Sequence, residues 1–183
     1  MAMNRHIALM RAVNLGGGTM VSMAQLRAML GKLGFDNPRT LMQSGNAVFG
    51  VKAGTTPAAL EKKLEAEAAR HFGKPVTFMV RTAAEWDDII ERNPFPAEAK
   101  SDPAHLLVLT IKGAPTAASV KALRAAYKGP ESIEVRGREA YLVYPEGIGR
   151  SKLTAALLDR SLGFAGTARN WNTVLKIAAL AGE

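Results

Sequence analysis

The sequence predicts an α+β fold made of two small antiparallel sheets, each with helices on one face, plus a C-terminal helix. Three observations predict it. Short apolar runs alternate with segments whose apolar residues recur at helical spacing. Turn residues separate paired short runs, as hairpins require. The order strand, helix, strand, strand, helix, strand occurs twice along 183 residues. That order is the split βαβ, or ferredoxin-like, pattern.

Arg5 to Ala12 is apolar and bounded by Gly16, Gly17 and Gly18, and reads as a buried first strand. Ser22 caps a helix whose apolar face holds Met23, Leu26, Leu30 and Leu33, and Gly34 ends it. Arg39 to Gln43 and Ala47 to Val51 form a hairpin around Ser44, Gly45 and Asn46. Thr56 and Pro57 open a second helix, with Leu60, Leu64, Ala68 and Phe72 inward and Gly73 as its stop. Pro75 to Arg81 is the fourth strand.

Thr82 starts a helix with Trp86, Ile89 and Ile90 inward, and the Asn93–Pro96 stretch breaks it. The polar stretch to Pro103 reads as a joint. Ala104 to Ile111 is a strand, and Thr116 to Tyr127 a helix with Val120, Leu123 and Tyr127 in register. Ser132 to Arg136 and Ala140 to Tyr144 pair around Gly137 and Arg138. Ser151 to Leu162 reads as a helix, Thr167 and Ala168 as a strand stub, and Asn170 as the cap of a last helix from Trp171 to Ala181. The expected organisation is a first ferredoxin-like subdomain over 1–82, a linking helix and Pro-rich joint over 83–103, and a second subdomain with the C-terminal helix over 104–183. The repeat rests on element order, with no residue-level repeat visible. Strands one and four are apolar on both faces, so the second half or the final helices are expected to cover the second face.

Composition narrows the function classes. At 48% hydrophobic and 22% charged residues, the chain has the profile of a domain with a full core. The absence of cysteine excludes disulfides and thiol catalysis. No run is long enough to span a bilayer and no signal-peptide order appears, so a soluble cytoplasmic protein is expected. The net charge of +8 favours anionic partners, yet the basic residues are scattered rather than blocked.

Several chemistries lack their residues. His6, His71 and His105 have no ligand spacing, so no metal site is indicated. The residues before Ser44 do not make a nucleophile elbow. The three glycines lack the spacing of a dinucleotide fingerprint and the Gly-Lys-Ser/Thr ending of a P-loop, and no cofactor is indicated. Glu85, Asp87, Asp88 and Glu91 read as the solvated face of their helix. The inner strands carry only Phe49, too little for an RNA-stacking sheet.

What remains is polar chemistry at helix starts. Free N–H groups and a partial positive charge make such ends favourable for anions. Arg150, Ser151 and Lys152 precede or open one helix, and Arg169 and Asn170 precede another. Arg11, Asn14, Gln43 and Asn46 flank strand ends, beside Gly16 and Gly17. Plain capping accounts for Asn170, and Trp171 with Val174, Leu175 and Ala178 reads as a core-facing stripe.

These residues also carry a resemblance. Arg11 to Gly17, Met23, Leu26, Leu33 to Phe35, the Gln43–Asn46 stretch, Arg81, the Asn93–Phe95 stretch, Ser151 to Leu153 and Ala168 to Val174 together resemble the domain-of-unknown-function family 1697. The resemblance implies two ferredoxin-like subdomains and brings no established activity, cofactor or catalytic residue. It also has departures. The family commonly has glycine where Ala12 stands, lysines near Gly18 and Met20, and proline where Ser22 stands. An anion held by those lysines elsewhere would be held more weakly here.

The expected function is binding of an anionic small molecule, phosphate- or nucleotide-like. Its site would lie among Arg11, Asn14, Gly16, Gly17, Gln43, Asn46, Arg150, Ser151, Lys152, Arg169 and Asn170. The alternatives are non-specific nucleic-acid binding by the basic surface, a protein-interaction module, and an enzyme in which Arg11 or Arg169 stabilises developing charge. Oligomeric state is left open.

Overall fold

Two four-stranded antiparallel sheets carry the fold. The computed structural model describes residues 3–11 and 21–183. The chain divides into two units, Met1–Asp88 with Lys176–Glu183, and Ile89–Leu175.

The first unit runs β1 (Met3–Met10), α1 (Met23–Lys32), β2 (Asp36–Leu41), β3 (Asn46–Lys52), α2 (Pro57–Phe72) and β4 (Phe78–Thr82). Its sheet order is β2-β3-β1-β4, with Ile7 opposite both Val48 and Arg81. One face supplies Ala8, Met10, Phe49, Phe78 and Val80 to a core shared with Leu26, Met29 and Leu30 of α1 and Leu60 and Leu64 of α2. Each leucine buried this way contributes about 2 kcal/mol.

Local chemistry sets the ends of these elements. Ser22 Oγ accepts from Gln25 N at 3.1 Å, and Gln25 Oε1 accepts from Ser22 N at 3.1 Å, which is a capping box. Thr56 Oγ1 caps α2 by accepting from Ala59 N at 3.3 Å, with Pro57 at the first helical position. The hairpin turn starts two residues earlier than the sequence predicts and ends one earlier, over residues 42–45, because Asn46 opens β3 and ties the turn back. Its Nδ2 donates to Leu41 O at 3.0 Å and to Ser44 Oγ at 2.9 Å. Gly45 has φ +76 and its carbonyl accepts from Met10 N at 2.9 Å.

The chain's last residues are tied to the edge strand β2 of this sheet. Arg39 on β2 donates to Leu180 O at 2.6 Å and pairs with Glu183 at 2.5 Å. Helix α3 (Ala83–Glu91) follows β4 directly. Thr82 Oγ1 accepts from Glu85 N at 3.0 Å, while Glu85 Oε2 accepts from Thr82 N at 2.8 Å. Glu85 therefore serves the cap, leaving Asp87, Asp88 and Glu91 as the exposed acids of that helix.

Where the sequence reads as a joint, a short helix α4 (Pro96–Ser101) forms, opened by Pro96. The chain continues with β5 (Leu106–Ile111), α5 (Ala117–Ala126), β6 (Ser132–Arg136), β7 (Glu139–Val143), α6 (Ala155–Leu162) and β8 (Gly166–Asn170) of the second unit, and with α7 (Trp171–Gly182), whose residues from Lys176 on belong to the first. In the second unit the sheet order, β6-β7-β5-β8, is that of the first sheet. Leu107, Leu109, Ile111, Leu142 and Tyr144 form its core with Leu123, Leu158 and Leu162.

Three expectations change in this half. The predicted stub at Thr167 is a full five-residue edge strand. The helix expected from Ser151 begins at Ala155, with Thr154 Oγ1 accepting from Leu157 N at 3.2 Å. Ser151 Oγ instead accepts from Leu153 N at 2.9 Å, a local turn that competes with helix. In α7, Trp171, Val174 and Ile177 are buried, but Leu175 is 43% exposed and lies off the expected stripe.

Candidate functional site

In the second unit, the end of α5 and the loop before α6 enclose a cleft of about 500 Å3. Tyr127 is the C-cap of α5, its N–H donating to Leu123 O at 2.8 Å. From there its hydroxyl donates to the Glu131 carboxylate in a short hydrogen bond. The pair closes over Gly129, where a Cβ would collide with both groups. Ser151 lies beside the same carboxylate and the Tyr127 hydroxyl and acts on the titration of both. The loop carrying Ser151 is pinned by Tyr144, whose Oη donates to Leu153 O at 3.1 Å.

Around this polar centre, Lys128, Arg150 and Lys152 line the cleft and are exposed. Leu157 and Pro130 supply apolar wall, and Glu146 a second carboxylate. Desolvation by itself would raise the Glu131 carboxyl, but the hydrogen bonds from Ser151 and Tyr127 outweigh it and hold the group below its usual value. Burial, then the neighbouring Glu131, push the Tyr127 phenol up. Burial pushes the Tyr144 phenol up as well. So the cleft holds an ionised carboxylate beside two neutral hydroxyls, with three cations in its lining. Such a set can take an anion on the cations and a hydroxyl or amine on the carboxylates. A carboxyl held below its usual value is a weaker base than a free one, so the arrangement favours binding over proton abstraction.

The predicted site residues fall in both units. Arg150, Ser151 and Lys152 come together here. Arg169 and Asn170 belong to the same unit but are not among the residues lining this cleft. Arg169 is 9% exposed, and its Nη1 donates to Thr167 Oγ1 and Ala168 O, both at 2.8 Å. Burial lowers its guanidinium to about 10. Asn170 Oδ1 caps α7 by accepting from Thr173 N at 3.0 Å. Arg11, Gln43 and Asn46 lie in the first unit. Arg11 N donates to Thr77 O at 2.9 Å, Gln43 is exposed in the hairpin turn, and Asn46 ties that turn. Asn14, Gly16 and Gly17 lie outside the described residues.

Tyr127, Glu131, Lys128 and Glu146 escape the sequence reading. Helical spacing places Tyr127 in the core, and nothing in the chain order links Glu131 to Ser151. Gly129 beside Pro130 marks the turn that makes the meeting possible. Among the described residues, no group of three or more His, Asp or Glu is placed to hold a metal ion. No helix among them is long and apolar enough to cross a membrane.

Residues 3–141 match a family model described as a protein of unknown function, DUF1697. This protein belongs to DUF1697. The match takes in the opening motif, while Ser151 to Leu153 and Ala168 to Val174 lie beyond it. The DUF1697 chain is also similar to a solved structure, the conserved bacterial protein SP0830 from Streptococcus pneumoniae. The two are 23% identical, with a TM-score of 0.79 over 100% of each chain. At that identity the likeness is one of fold, and it agrees with the two-sheet architecture. No curated protein matches this DUF1697 chain.

Proposed function

We propose that this DUF1697 protein binds an anionic small molecule that also carries hydroxyl or amine groups, of the sugar-phosphate or nucleotide type, in the cleft of the second unit. The observation that carries this reading is the convergence of Lys128, Arg150 and Lys152 on a cavity centred on the Tyr127–Glu131–Ser151 cluster. The cations would take the phosphate, Glu131 and Glu146 the donors of the ligand, and Leu157 with the Tyr127 ring its apolar face. A cavity of about 500 Å3 suits a ligand of that size. Phosphorylated metabolites are retained inside cells, which supports a cytoplasmic place of work.

The test is a thermal-shift screen at low salt with mononucleotides, sugar phosphates, inorganic phosphate and a short oligonucleotide, followed by calorimetry. A ligand that binds only the folded state raises the melting temperature. One small phosphorylated ligand should stabilise the wild type, and Arg150→Ala with Lys152→Ala should weaken it at least tenfold. Shifts from every polyanion that vanish with salt would move the reading to the basic surface. Silence across the panel, or unchanged affinity in the double variant, would overturn it.

A further inference from the structure

We propose that the first unit holds a second cleft, at the same topological position as the first, for a carboxylate with a compact apolar body. The proposal is independent of the reading above, because it rests on other residues in the other unit. Leu33 is the C-cap of α1, as Tyr127 is of α5, and each lines its cleft. Ala59 gives its amide to the cap Thr56, as Leu157 does to Thr154, and each again lines its cleft. Both clefts are framed by the loop after the helix that joins the unit's first two strands, the end of its third strand or the segment following it, and the first turns of the next helix. The duplicated topology therefore repeats a cavity along with the elements.

The linings differ in a way that names the ligand. The cavity of the first unit, about 410 Å3, has Leu33, Phe35, Val51 and Leu60 as its floor. Phe35 is held flat on Phe49, ring centroids 4.6 Å apart and 7° from parallel, so that floor is rigid. Lys52 and Lys63 stand at the mouth, and none of the described lining residues is acidic. Lys63 Nζ sits 5.0 Å from the Phe35 ring centroid and donates to Leu33 O at 3.3 Å, which holds its charge over the opening. The Tyr127, Glu131 and Ser151 cluster of the other cleft has no counterpart in this lining. Two cations over an apolar floor fit a single anionic head on a hydrocarbon or aromatic body. The Thr56 hydroxyl already takes the Ala59 amide, so little backbone cradle is left for a dianion.

The experiment is calorimetry of the full chain with octanoate, with octanol and inorganic phosphate as the tail-only and head-only probes. Octanoate should bind, and phosphate should not compete with it. Ala59→Trp, which fills the cavity, should abolish octanoate binding. Lys52→Gln with Lys63→Gln should weaken octanoate at least tenfold while leaving octanol unchanged. Arg150→Ala with Lys152→Ala should leave octanoate untouched, which separates this cleft from the other. No octanoate binding by the wild type would overturn the proposal, as would undiminished binding by the lysine double variant. Loss of octanoate in the Arg150 and Lys152 variant would overturn it too. The lysine variant keeps the fold and decides the matter if the tryptophan variant fails to fold.

Discussion

Arg81 and Arg169 occupy the same position in two copies of one strand-to-helix junction. Arg81 Nη1 donates to Val80 O at 2.9 Å, and Arg169 Nη1 to Ala168 O at 2.8 Å, each the carbonyl just before it. Each is followed by a cap at 3.0 Å, Thr82 on Glu85 N and Asn170 on Thr173 N. Each stands beside its central strand, opposite Ile7 and Val108 respectively. Both side chains are buried, at 1% and 9% exposure. The duplication thus has a residue-level trace, masked in the sequence by unlike neighbours, FMVRT against GTARN.

Arg169→Ala should cost stability rather than binding. It removes charged hydrogen bonds to Thr167 and Ala168, a loss of about 2–3 kcal/mol. Urea denaturation reads the loss, and calorimetry on the folded variant should show unchanged affinity in the second unit's cleft. Lost binding with intact stability would instead make Arg169 a ligand residue. Arg81→Ala should destabilise in the same direction.

His6 should make the fold acid-sensitive. Its Nδ1 donates to Asn4 O at 3.1 Å, so the proton sits there and the buried Nε2 has no partner among the described residues. Burial lowers its pKa below the ordinary 6.5, only partly opposed by the Asn4 bond and by Glu85. Below pH 6.5 the unfolded chain takes a proton that the folded chain refuses, so stability falls as pH drops from there to the folded value. His6→Phe should flatten that part of the profile, measured by denaturation at neutral and mildly acid pH. A variant as acid-sensitive as the wild type over that range would refute it.

Tyr127→Phe should release Glu131. The carboxylate loses one of the donors that hold its pKa down and should titrate higher, towards its usual 4.5. Carbon-detected NMR of the Glu131 side chain follows this directly. An unmoved titration would leave Ser151 as the donor that matters.

Two glycines should respond oppositely to alanine. Gly45 has φ +76, and a Cβ there would lie 2.7 Å from Met10 Cβ, so Gly45→Ala suffers both strain and a clash. A loss of about 2 kcal/mol or more is expected. Gly149 has nothing within 4 Å of such a Cβ, and Gly149→Ala should stay within about 0.5 kcal/mol of wild type. Equal melting temperatures for the two variants would contradict this.

Much of the fold is legible in the chain because its signals are local. Thr56 with Pro57, Gly73 at φ 68, and the Ser132–Arg136 strand follow from interactions within one or two turns of sequence. Ser151 misleads for the same reason. It looks like a helix start, but its hydroxyl takes the amide of Leu153 and delays the helix to Ala155. Pro96 opens a helix that the surrounding polar residues hide.

By itself the sequence determined the order of the strands and of every helix but α4, the two sheets and their helix-covered faces, since alternation and helical spacing say which side of each element is apolar. Only the tertiary structure decided which basic residues meet solvent in a cavity. Arg150 and Arg169 look alike as cations before helices. The first ends a single 3-10 turn, Ile148–Arg150, and stands exposed at a cleft, while the second is a strand residue whose side chain is buried. The reason is that strand pairing and loop packing join residues distant in the chain, Ser151 with Glu131 and Leu33 with Lys63. No local pattern encodes those meetings.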